Sequence, residues 1–162
     1  MSDILFRTPE YVFSYRTAGI LIRDGKVLLQ KPDDDEGYAI PGGHVAFGET
    51  NADTLIREYR EECGAEIGVD SLCAVAEVFF PWGDKPCHQL CTYFRVHLKD
   101  PDSLPCTDTF MTKEHLEGRT FPVRFYWMPL EKLDTLLIYP PQIVPAIQNP
   151  ALPVQHFIYH EE

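Results

Sequence analysis

The sequence predicts a mixed α/β domain. Three observations carry that reading. Apolar runs with strand character occur in both halves of the chain, one long capped amphipathic segment lies between them at 50–64, and proline-led apolar segments stand near the C-terminus. With 44% hydrophobic and 12% aromatic residues, the chain has enough apolar surface for a packed core. Its 162 residues are expected to form one domain, 1–162. Pattern alone leaves α/β and α+β both open.

The elements follow in order. Residues 16–23, RTAGILIR, and 26–31, KVLLQK, flank Asp24-Gly25. That arrangement predicts a hairpin closed by a type I′ turn. An acidic, solvated loop is expected at 32–37 (PDDDEG), then a short strand at 38–41. Pro41-Gly42-Gly43 is expected to end that strand in a loop whose backbone approaches a ligand closely, which glycine permits. Thr50 is a good N-cap, and Asp53 completes a capping-box-like pair. Asp53 and Glu49 put negative charge near the positive end of the helix. Leu55, Tyr59 and Ile56 make its apolar side, and Gly64 is the expected left-handed residue past its end.

Residues 67–81 read as strand. Residues 88–98 alternate, with Leu90, Thr92, Phe94, Val96 and Leu98 on one face and Gln89, Cys91, Tyr93, Arg95 and His97 on the other. A polar loop is expected at 99–113 and a strand at 119–128. Pro129 is read as the first residue of a helix over 130–137, and Pro141 as opening another that runs to 148. Residues 154–159 read as an edge strand.

The formal net charge of −11 argues against a nucleic-acid polymer as partner, since phosphate backbones are bound by clustered Lys and Arg. A small nucleotide is not excluded, because metal ions can bridge acidic groups and phosphates. No apolar run reaches the roughly 18 residues of a membrane span, and the N-terminus lacks a signal-peptide pattern. A cytoplasmic protein without a membrane partner is expected. The five cysteines are irregularly spaced, which suggests reduced thiols rather than a disulfide framework. Cys87-His88-x-x-Cys91 resembles half a zinc site, but no second pair follows.

The chemistry concentrates in GHVAFGETNADTLIREYREECGA, residues 43–65. It reads G-x5-E-x7-R-E-φ-x-E-E-x-G-φ, where φ is apolar. Glu58, Glu61 and Glu62 stand at i, i+3 and i+4, on one helix face. Like charges at that spacing cost roughly a few tenths of a kcal/mol each, so a counter-charge is expected. A hard divalent cation, shared with substrate phosphates, would provide it. Arg57 stands four residues before Glu61 and can pair with it or with Glu49.

This segment resembles the Nudix box, and the chain resembles a Nudix hydrolase of the MutT-like kind. Gly43, Glu49, Arg57, Glu58, Glu61, Glu62 and Gly64 match the motif, with Tyr59 and Ala65 as unusual occupants of its apolar slots. The resemblance implies an α/β/α sandwich with a mixed sheet and a loop–helix–loop catalytic motif. It implies hydrolysis of a nucleoside diphosphate linked to another moiety (NTP, oxidised NTP, ADP-ribose or nucleotide sugar), with Mg2+ or Mn2+ as cofactor. Glu58 and Glu62 would then be metal ligands, with Glu61 a further ligand or the base. The backbone carbonyl of Gly43 would join them, and Arg57 would orient the carboxylates. Lys31, Gly42, Gly43 and, less directly, Arg16 would neighbour the substrate phosphates. Phe79, Trp82 and Tyr93 could stack on a base. A small nucleotide is the expected partner, to a monomer or homodimer.

One departure stands out. Relatives often carry a further Glu after the FF segment, where this chain has His88-Gln89. Gln89 cannot ionise, which leaves Glu77, Asp84, Glu114 and Glu117 as other sources of a base. Pro81 lies 16 residues past Ala65, where ADP-ribose-type members carry a proline. The alternative is a Nudix domain that binds a nucleotide and reports it without turnover. Such readers often lose box carboxylates, whereas all three are kept here. An isomerase acting on an allylic diphosphate is a more remote alternative.

Overall fold

The computed structural model describes residues 2–116 and 118–162, the side chains of 114–116 excepted. Its strands are β1 (Leu5–Arg7), β2 (Val12–Arg23), β3 (Lys26–Gln30), β4 (Gly42–His44), β5 (Ile67–Trp82), β6 (Lys85–Leu98), β7 (Thr109–Leu116), β8 (Arg119–Pro129) and β9 (Gln155–His160). They form one mixed sheet in the order β7-β8-β3-β2-β6-β5-β9, with β1 and β4 also paired to β2. The β2–β6 and β5–β9 pairs are parallel and the others antiparallel.

Helix α1 (Asn51–Cys63) packs on one face of this sheet and the C-terminal turns cover the other. On the first face, Leu55 and Tyr59 meet Leu21, Leu28, Ile67 and Val96. On the second, Leu133, Ile143 and Ile147 meet Ala18, Ile20, Val27 and Leu29. Alternation along β2 and β3 divides their side chains between the two cores. Burying each of these large apolar side chains contributes about 1.5–3 kcal/mol. Tyr59 is 1% exposed, and its hydroxyl donates to the Gly19 carbonyl at 2.8 Å. The motif's apolar slot accepts a tyrosine because β2 supplies that acceptor. Gly19 is closely covered, since a Cβ there would lie 3.0 Å from the Tyr59 ring and 3.2 Å from Val96, and those side chains would have to give way slightly.

Local signals are realised closely. Asp24 and Gly25 both have positive φ, 51° and 73°, as a type I′ turn requires. Thr50 caps α1, Asp53 completes the capping box, and Gly64 ends the helix at φ 72°. Elsewhere the chain departs from expectation. β2 begins at Val12 rather than 16, because its first half pairs with β1, β4 and β6 together. The strand expected at 38–41 is reduced to isolated bridges at Tyr38 and Ala39.

Gly42 and Gly43, expected in a loop, are strand residues of β4, opposite Ala18 and Thr17. The expected loop at 99–113 ends early, since β7 starts at Thr109. β7 pairs only with β8 at the sheet edge, so its polar composition is compatible with a strand. The helix expected at 130–137 is a 3-10 turn, Leu130–Thr135, with Pro129 as its N-cap residue. Pro141 opens a 3-10 turn, Pro141–Ile143, which continues into α2 (Val144–Gln148). No helix among the described residues is long and apolar enough to cross a membrane.

Candidate active site

The capping box fixes where α1 starts, and therefore which side chains face β4. Thr50 Oγ1 accepts from Asp53 N–H at 3.1 Å and Asp53 Oδ2 accepts from Thr50 N–H at 3.0 Å. Two turns along, Arg57 becomes the centre of an ion network. Its Nε donates to both Glu49 oxygens, at 3.0 and 3.1 Å. Its Nη1 donates to Glu58 at 2.9 Å and Glu61 at 3.3 Å, and its Nη2 to the His44 carbonyl at 3.3 Å. Burial alone would lower the Arg57 pKa. The Glu58 and Glu49 carboxylates outweigh it and raise the pKa, so the guanidinium stays charged. The counter-charge expected for the clustered carboxylates is therefore supplied in part by the protein itself.

The three box carboxylates have different surroundings. The Glu58 side chain is 13% exposed and that of Glu61 is 57%. Glu62 is buried, and its backbone carbonyl accepts from the Thr112 hydroxyl. Glu58 lies against Gly43: a Cβ at Gly43 would come 2.2 Å from Glu58 Cδ and 2.3 Å from Oε1. Gly42 is a glycine for another reason. A Cβ there would lie 2.0 Å from the backbone oxygen of Thr17, so β2, not a ligand, demands it.

Among the described residues, no three acidic, histidine or cysteine groups stand close enough to hold an ion as they are. The donors nevertheless fit a hard cation in kind. The Glu58 carboxylate faces the Gly43 backbone, with side-chain volume absent where an ion and a carboxylate would need room.

The remaining predicted residues divide between two cavities. Lys31 lines the larger, about 600 Å³, together with Gln30, the 33–35 aspartates, Glu62 and Arg124. Lys31 Nζ donates to the Asp35 carbonyl at 2.9 Å and lies 5.8 Å from the Tyr38 ring centre. The Gln30 amide oxygen is buried in that region without a hydrogen-bond partner. Arg16 lines the smaller cavity, about 250 Å³, with Gln89, Tyr93, Tyr139 and Glu161. Its Nη2 donates to the Ile40 carbonyl at 3.1 Å. Burial disfavours its charge, but Cys91, Tyr93 and Glu62 outweigh that and raise its pKa.

Gln89 accepts from Ser14 Oγ at 3.1 Å. Glu77 is paired with His156 at 2.7 Å, and Glu117 and the Glu114 side chain lie outside the described residues. Of the expected stacking residues, only Tyr93 lines the smaller cavity. Phe79 instead stacks on His160, with centroids 4.5 Å apart, and the Arg7 guanidinium lies 5.6 Å over the Trp82 ring. Arg124 was not singled out from the sequence. It is a cation inside an apolar strand run, FPVRFYW, and that placement was its signal.

The mixed sheet thus carries a carboxylate-rich helix beside a glycine strand. The NUDIX domain profile matches residues 14–148, and the chain belongs to that family. It is 42% identical over 60 residues to a protein of Methanocaldococcus jannaschii named ADP-ribose pyrophosphatase, covering 35% of this chain and 36% of that one. The curated relatives it matches are covered over only 28% to 49% of their own lengths. Among solved structures, a MutT protein of Bacillus halodurans superposes with a TM-score of 0.61 at 20% identity, over 91% of this chain and 90% of that one. A Streptococcus suis structure described as an ADP-ribose pyrophosphatase gives 0.58 at 13% identity, over 88% and 98%. At those identities the likeness is one of fold.

Proposed function

We propose that this chain is a divalent-metal-dependent pyrophosphohydrolase that cleaves a phosphoanhydride bond in a nucleoside diphosphate derivative. Its substrate is an NTP, an oxidised NTP, ADP-ribose or a nucleotide sugar. The observation that carries the proposal is the seating of the Glu58 carboxylate against Gly43, held by Arg57 together with Glu49 and Glu61. Family membership and the name of the archaeal relative support the same class.

In this reading Glu58, Glu62 and the Gly43 carbonyl hold Mg2+ or Mn2+, with Glu61 nearby as a further ligand or as base. When bound, the cation supplies Lewis acidity toward the phosphoryl oxygens and an attacking water. Arg57 keeps the carboxylates in place through its fork of N–H donors, which lysine could not reproduce. Glu61 is the most exposed of the three, and in the role of base it would take a proton from water attacking phosphorus. Lys31 attracts the phosphates from the rim of the larger cavity.

The test is a screen with Mg2+ and Mn2+ against NTPs, nucleotide sugars, dinucleoside polyphosphates and ADP-ribose. Hydrolysis of at least one class in labelled water should place heavy oxygen in a phosphate product. Tight nucleotide binding with no turnover under either metal would instead make the chain a sensor.

A further inference from the structure

We propose that Arg124 and Lys31 form a two-cation clamp for substrate phosphate, and that Asp33 occupies this clamp until substrate arrives. The inference rests on the polyphosphate reading above, but it concerns residues outside the box. β3 and β8 pair Gln30 with Phe125. The Lys31 N–H then donates to the Arg124 carbonyl at 3.3 Å, so pairing continues one step and sets Lys31 opposite Arg124. Residues directly opposite in a ladder lie side by side, and like charges there repel. Both side chains line the 600 Å³ cavity that also includes Glu62. Two facing cations on a cavity wall call for an anion between or beside them.

The 32–37 loop provides it from within the chain. Arg124 Nε donates to Asp33 Oδ1 at 3.0 Å, and Lys31 Nζ to the Asp35 carbonyl. The Arg124–Asp33 pair is partly open, with side-chain exposures of 31% and 65%, so solvent screens it and it is easily exchanged. A phosphate offers arginine bidentate, charge-assisted bonds, which are stronger. Asp33 can leave without unmaking the loop. Asp35 N–H donates to the Pro32 carbonyl, and Asp35 Oδ1 accepts from Gly37 N–H. Four acidic residues, Asp33, Asp34, Asp35 and Glu62, line the same cavity. Without the clamp it would repel a polyphosphate.

The experiment compares wild type with Asp33→Asn, Arg124→Gln, the double variant, Lys31→Gln and Asp34→Asn. Binding of inorganic pyrophosphate in Mg2+ buffer is measured by calorimetry, and kcat and KM on the best substrate of the screen. Asp33→Asn should bind pyrophosphate about threefold to tenfold more tightly, while Arg124→Gln and Lys31→Gln should each bind at least about tenfold more weakly. The double variant should match Arg124→Gln alone, because Asp33 acts through Arg124. Changes should appear in KM, with kcat within about threefold.

Asp34→Asn removes the same charge without the ion pair, and should tighten binding clearly less than Asp33→Asn. Equal tightening by both, or tightening by Asp33→Asn that persists without Arg124, would overturn the proposal. The affinities are read without turnover. If the expected order holds while nothing is hydrolysed, the clamp stands and the hydrolase reading falls. If hydrolysis is seen and all variants bind alike, the reverse follows. Should Arg124→Gln fail to fold, Lys31→Gln and Asp33→Asn decide the matter alone.

Discussion

The Glu58 carboxylate fills the space beside Gly43 in which a side chain would begin, with Oε1 only 2.3 Å from the position of a Cβ. The neighbouring glycine is constrained by backbone instead, at 2.0 Å from Thr17 O. The two glycines should therefore fail in different ways. Gly43→Ala pushes away a flexible carboxylate, so the fold should hold, with Tm falling by less than about 4 °C. Its kcat should fall at least about tenfold as Glu58 leaves its place. Gly42→Ala drives a methyl group into a strand that cannot yield, and should cost about 1–3 kcal/mol or more of stability. Melting curves and kcat for both variants check this. Equal losses of stability would mean that Gly43 is only a packing residue.

Removing charge from the box should separate chemistry from stability. Glu58→Gln and Glu62→Gln should each lower kcat by about a hundredfold or more, on the order of 3 kcal/mol of transition-state stabilisation. Gln at 58 still offers Arg57 an amide oxygen, and Gln at 62 removes a charge from a buried position. Tm should therefore shift by only a few degrees. Wild-type turnover should need millimolar Mg2+ or Mn2+ and stop in excess chelator. Undiminished turnover in EDTA, with no metal found by elemental analysis, would remove the carboxylates from the role assigned to them.

The start of α1 gives a pH-dependent stability. The Thr50 backbone N–H, and then its hydroxyl, hold the Asp53 carboxyl below its ordinary value of 3.8. A depressed carboxylate contributes stability above its unfolded-state pKa and loses it as pH falls through the folded one. Asp53→Asn should therefore lower Tm at pH 7, with the gap to wild type closing as pH drops below 3.8. Thr50→Ala, which deletes the cap itself, should cost about 1 kcal/mol. Tm measured from pH 2 to 7 checks both, and a gap for Asp53→Asn that persists at low pH would exclude the capping account.

Signals that act within a few residues were legible in the sequence. The Thr50–Asp53 box, the Gly64 stop and the Asp24-Gly25 turn each depend on bonds or dihedrals local to the motif. The glycine strand β4 was not legible, because two glycines look like loop. Their strand state comes from pairing with Thr17 and Ala18, far away in the chain. β7 was missed because an outer strand needs no apolar alternation. The Arg57–Glu61 pair was readable from i,i+4 spacing, but the bond to Glu58 was not, since adjacent helix residues do not face each other. Its geometry comes from a long side chain bent toward β4. Arg124 and Asp33 are 91 residues apart, so nothing local announces their bond.

The last prediction concerns the acid that this chain lacks at position 89. Gln89 accepts from Ser14 and lines the smaller cavity beside Arg16 and Tyr93, whereas Glu61 belongs to the Arg57 network beside Glu58. Glu77, the β5 residue opposite Leu90 and next to Gln89's partner Val78, is held by His156. On the proposed reading the base comes from the box, most simply from Glu61, the most open of its carboxylates. Gln89→Ala should change kcat by less than about tenfold, roughly 1.4 kcal/mol. Glu61→Gln should cost clearly more and flatten the acidic limb of the pH–rate profile, because removing a base removes its titration. Measuring kcat against pH for both variants decides between them. A large loss for Gln89→Ala beside a nearly normal profile for Glu61→Gln would place the critical group on β6 and move the base out of the helix.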